Sequence, residues 1–68
     1  FKPMKRRDYE SWIASFGWQL VKAGMDWKVY NNAGQLVIRN VIISHPGGEV
    51  VADSVRKTRQ LLKEAGLL

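Results

Sequence analysis

The chain has 68 residues, 46% of them hydrophobic, no cysteine and one histidine, with 11 lysines and arginines against 6 acids. That length specifies one domain with a small core, and the absence of cysteine excludes disulfides, zinc–thiolate sites and thiol catalysis while fitting a reducing cytoplasm. No apolar run approaches the ~20 residues of a membrane span and no signal-peptide pattern is visible, so no membrane partner is expected, whereas a net charge of +5 predicts a polyanionic one.

Met4-Lys5-Arg6-Arg7 reads as a natural start, with residues 1–3 as an added extension and 4–68 as a single domain. RRDYESWIASFG then reads as a helix, because Tyr9, Trp12, Ile13 and Phe16 recur on one face. Asp8 and Glu10 suit its positive end, and Gly17 stops it. WQLVKA reads as a first strand, with Trp18 and Leu20 on one side. GMD is a turn and WKVYN a second strand, with Trp27 and Val29 opposite Lys28 and Tyr30. NNAG supplies a hairpin turn, and the β-branched run QLVIRNVIIS a third strand. HPGGEV is a loop. VADSVRKTRQLLKEAG reads as a second helix, burying Val51, Val55, Thr58, Leu62 and Ala65, with Leu61 at the margin. Arg56, Arg59 and Lys63 form a basic stripe beside that face. Trp12, Phe16, Leu20, Val29, Val55 and Leu62 are the expected core. The order helix, three-stranded antiparallel sheet, helix predicts a two-layer α+β domain, the order of the double-stranded-RNA-binding domain.

Little catalytic chemistry is open to such a chain. One histidine and scattered carboxylates lack metal-ligand spacing, so no metal or other cofactor is expected. Gly47-Gly48 lack the rest of a phosphate loop, and there is no nucleophile elbow. What remains is acid–base chemistry on a bound polyanion. Metal-free RNA cleavage needs a base, an acid and cations near the phosphate, and histidine as a residue type suits the proton transfers. His45 with Lys22, Lys28 and the helix cations could supply them. Taken alone, a loop histidine is more often incidental.

The chain resembles the HicA toxins of bacterial type II toxin–antitoxin pairs, small ribonucleases with a double-stranded-RNA-binding-like fold. Three segments carry the resemblance: MKRRDYESWIASFGWQLVKAG with its glycine-tryptophan junction, ISHPGGEV with its His-Pro pair, and VRKTRQLLKEAGL. It implies an mRNA-cleaving endoribonuclease in the cytoplasm, with RNA and a HicB-like antitoxin as partners. The family places its catalytic histidine two or three residues after the glycine opening the second strand. Here that glycine is Gly24, and the positions hold Asp26 and Trp27. Asp26 could serve as a base, but a carboxylate ordinarily titrates near ~3.9 and donates protons poorly at neutral pH. His45 occupies the family's His-Pro position, either as a loop residue near the RNA or as a substitute acid–base group. The expected site is therefore His45 and Asp26 for catalysis, with Lys22, Trp27, Lys28, Arg56, Arg59 and Lys63 on RNA. A non-catalytic RNA-binding or regulatory module on the same fold is the alternative, and a protein-interaction domain the third reading.

Overall fold

In the computed structural model, which describes residues 1–68, helix α1 (Arg6–Ala14) buries Tyr9 and Ile13 completely. Its end is set by Gly17, whose φ of +84° a side chain would disfavour. The Trp18 N–H donates to the Ile13 carbonyl at 3.0 Å and the Gly17 N–H to that of Ala14 at 2.9 Å, the two bonds of a Schellman motif. That reversal places Trp18 back on the core beside Ile13. Helix α2 (Ala52–Glu64) closes the same way, through Leu67 to Leu62 and Gly66 to Lys63.

Strands β2 (Gln19–Ala23), β3 (Asp26–Tyr30) and β4 (Leu36–Ile38) form an antiparallel meander. Asp26 pairs with Ala23, so the first hairpin turn is only Gly24-Met25 and Asp26 belongs to the strand. The second is organised by Asn31, whose Oδ1 accepts the N–H groups of Ala33 and Gln35, both at 2.9 Å. Leu20, Val29 and Ile38 face the helices; Val37 is the extra residue at a bulge between the Val29–Ile38 and Tyr30–Leu36 pairs.

The expected third strand, 35–44, is divided. Its sheet pairing stops at Ile38, and only the Val41 N–H returns to β3, donating to the Trp27 carbonyl at 2.7 Å. Ile43 then bridges to Val50 in a second, two-stranded sheet, where β1 (Met4–Lys5) pairs antiparallel with β5 (Glu49–Val50). The segment expected as the loop 45–50 thus ends in a strand. The architecture is α+β, with two helices, a three-stranded antiparallel sheet and a small second sheet. No helix is long and apolar enough to cross a membrane.

The expected core also changes. Leu20, Val29, Val55 and Leu62 are buried, but Trp12 and Phe16 only flank the core, and Tyr9, Ile13, Trp18, Val41 and Val50 fill it. Trp12 lies at one edge of the helix stripe, and Phe16 lies past the end of α1. Val51 is half-buried at the start of α2 and Ala65 is exposed beyond its end. The two helices are joined by one buried polar contact, Tyr9 Oη to Thr58 Oγ1 at 2.7 Å. Thr58 donates its own hydrogen to the Ser54 carbonyl at 2.7 Å, so the phenol is the donor between the pair.

Trp18→Ala should cost ~3–5 kcal/mol and Trp12→Ala clearly less; urea unfolding ranks them, and the reverse order would mean that α1 is rotated about its axis. Burial raises the Tyr9 phenol above its ordinary value of 10.0. The folded state therefore holds this proton more tightly than the unfolded chain does. The resulting stability is complete below pH ~10 and is lost as the pH climbs through the raised folded value. Tyr9→Phe should cost about 1 kcal/mol at neutral pH and remove this part of the alkaline loss, as read from melting temperature against pH.

Candidate nucleic-acid interface

The β2–β3 ladder sets the site. Residues two apart on a strand share a face, so the face that buries Leu20 and Val29 continues into the next same-face pair, Lys22 and Trp27. The helix layer reaches that far only with its first residue. The Arg6 guanidinium lies 5.4 Å from the Trp27 ring centroid and the Lys22 ammonium 5.6 Å from it, both within cation–π range. Arg6 is also held by Glu10 at 3.0 Å. That is the only ion pair among the chain's 11 lysines and arginines, so most of the positive charge has no internal partner.

Lys22, Trp27 and Arg6 line a cleft of about 460 Å³, which also takes in Met25, Ile42 and His45. None of its lining residues is acidic. The far wall is the segment that leaves the meander, and its backbone is tied at Val41, Ile42 and Ser44. The Ile42 N–H donates to Ser54 Oγ at 3.1 Å, and the Ile42 carbonyl accepts from Val51 at 3.1 Å. Ser44 donates to the Glu49 carbonyl through both its N–H, at 2.8 Å, and its hydroxyl, at 3.2 Å. His45 follows at the start of a turn, joined to Pro46 by a cis peptide bond.

Of the residues expected at the site, the fold brings together Lys22, Trp27 and His45. Asp26 and Lys28 are excluded by strand alternation: they stand on the opposite face from Trp27, where Lys28 pairs with Val21. Lys28 therefore cannot share the charge role with Lys22, and Asp26 does not line the cleft. Arg56, Arg59 and Lys63 are all exposed on α2. Arg56 lines a neighbouring cleft together with Lys57, whereas Arg59 lies 6.0 Å from the Phe1 ring. Arg6 and Ile42 escaped the sequence reading. The basic run Lys5-Arg6-Arg7 was the signal for Arg6; nothing local marks Ile42.

Comparison of the chain with family models, curated proteins and solved structures finds no match. The chemistry therefore rests on the cleft itself. It offers two cations against an indole, an apolar border and one imidazole. No group of three histidine, aspartate or glutamate side chains is placed to hold a metal ion. Ser54→Ala should leave the Ile42 N–H without its acceptor and loosen the wall that carries His45. About 1–2 kcal/mol of local stability is at stake, visible as faster hydrogen exchange at the Ile42 amide. Unchanged exchange there would mean that the wall is held by its other bonds.

Proposed function

We propose that this chain is a HicA-like RNA-binding protein, a toxin component that acts in, or descends from, mRNA cleavage and is neutralised by a HicB-like antitoxin. The observation that carries the reading is the acid-free cleft in which Arg6, Lys22, Trp27 and His45 meet. A phosphodiester bound there would be held by Arg6 and Lys22, with His45 at the rim for proton transfer. The helix, antiparallel sheet and second helix lie in the order of a double-stranded-RNA-binding-like domain, to which β1 and β5 add a small second sheet.

Cleavage of RNA by attack of the 2′-hydroxyl on the adjacent phosphorus, with breakage of the P–O5′ bond, needs a base for that hydroxyl and an acid for the leaving 5′-oxygen. His45 can fill one of these roles at a time. Asp26 stands across the sheet from the cleft, and Trp27 carries no exchangeable proton of suitable acidity. Catalysis by this chain is therefore weak, and what there is depends on His45. The presence of an indole where the resembled family keeps its histidine favours a second reading, a non-catalytic RNA-binding module in which Trp27 has replaced the proton carrier with a contact surface.

The deciding experiment compares the chain as it stands with His45→Ala and Trp27→His on one RNA substrate. Slow cleavage that falls in His45→Ala supports the ribonuclease reading; general acid–base help is worth ~10²–10⁴ in rate, so its loss is readily measured. RNA binding without cleavage, with cleavage gained in Trp27→His, selects the non-catalytic module. Robust cleavage that survives His45→Ala would refute the assignment of His45, and no affinity for RNA at low salt would refute both readings.

A further inference from the structure

The central cleft does not stand alone. It shares Arg6 and Gly48 with a polar cleft that also includes Lys5 and Arg7. It shares Asn40 and Ile42 with a third cleft, lined on the other side by Arg56 and Lys57 of α2. The three therefore adjoin one another through shared lining residues. Together they present six cations and three carboxylates, Asp8, Glu49 and Asp53. All three carboxylates lie in the flanking clefts, and the centre has none.

The centre differs from the flanks in a second way. Met25 is 96% exposed and Ile42 50% exposed, so two of the chain's few exposed large hydrophobic residues border this one cleft, beside Trp27. A duplex has no use for such a border, because its bases are stacked inside and it presents phosphates and sugars. An unpaired base does, because its faces are apolar and its phosphates on either side remain charged. An apolar centre flanked by cations at both ends has the chemistry of a single strand passing through.

Resting on the RNA-binding reading above, we infer that the three clefts form one continuous groove for single-stranded RNA. Unpaired bases sit against Met25, Trp27 and Ile42. The phosphates leading in and out are held by Lys5 and Arg7 on one side and by Arg56 and Lys57 on the other. Arg59 and Lys63 line none of these three clefts and lie off the path.

The test is fluorescence anisotropy with a labelled oligouridylate of about twelve nucleotides and with a blunt RNA duplex of the same length. The single strand should bind more tightly. The double variant Met25→Gln, Ile42→Gln changes two exposed side chains, and a thermal melt checks that it folds. It should lose affinity severalfold for the single strand, because apolar surface that covers the bases is removed, and little for the duplex. Neutralising Arg56 and Lys57 to glutamine should flatten the dependence of log affinity on log salt by ~0.7 for each phosphate that no longer meets a cation. Equal affinity for duplex and single strand, or no effect of the apolar double variant, would overturn the groove while leaving RNA binding intact. Failure to bind either RNA would overturn the groove together with the functional reading beneath it.

Discussion

The hydrogen bond from the Val41 N–H to the Trp27 carbonyl, 2.7 Å long, is where the chain leaves one sheet for another. Before it, the backbone belongs to the meander; after it, Ile43 bridges to Val50 and the small sheet begins. A strand running on without a break would have continued the ladder along β3 beside Trp27. By touching β3 once and then diverging, residues 39–43 become a wall instead of a strand, and the space between wall and hairpin is the cleft. Val41 can do this because its side chain is buried, which fixes the departure point in the core.

The same divergence explains why the cleft is positive. The inner face of the β2–β3 hairpin is core at the Leu20–Val29 pair and site at the Lys22–Trp27 pair. Beyond Leu20 the helix layer ends in Arg6, so the lysine at position 22 costs no buried charge. Arg6 is fixed by Glu10 on its own helix and by the indole across the gap. An exposed ion pair of this spacing contributes only a few tenths of a kcal/mol. Its larger effect is positional, since it directs one guanidinium across the mouth of the cleft.

The local grammar of the sequence was legible: helix, hairpins, and the two glycines that end the helices. The alternation that separates Trp27 from Lys28 was legible too, whereas Asp26, read as part of the turn GMD, joined the strand only in the structure. The third strand was not legible. QLVIRNVIIS is apolar and β-branched along most of its length, and such a run says that the segment is extended without saying which partner it pairs with. Arg39-Asn40 interrupt the apolar run just where the sheet pairing stops, but the pairing of Glu49–Val50 with Met4–Lys5 joins residues far apart in the chain and leaves no local trace. Trp12 and Phe16 were misread for a related reason. A helical wheel ranks residues by angle, while burial depends on what lies opposite, and here the Schellman reversal at Gly17 brings Trp18 into the space they would have filled.

The cleft inherits its order from the core because it is built on the same elements. Lys22 and Trp27 are ladder residues, Arg6 is the first residue of a helix whose next turn buries Tyr9, and the wall is tied to α2 through Ser54. A charged polymer binding here meets groups already held in place, so less freedom is lost on association. His45 is the exception. It stands on a turn past the last fixed point of the wall, Ser44, whose two hydrogen bonds to Glu49 anchor the turn without fixing the imidazole. The bonded part of the cleft is thus fixed, while the His45 imidazole makes no hydrogen bond that would orient it. On the proposed RNA-binding reading, that division favours binding over fast chemistry, because acid–base catalysis depends on a proton carrier kept within hydrogen-bond reach of the reacting oxygen.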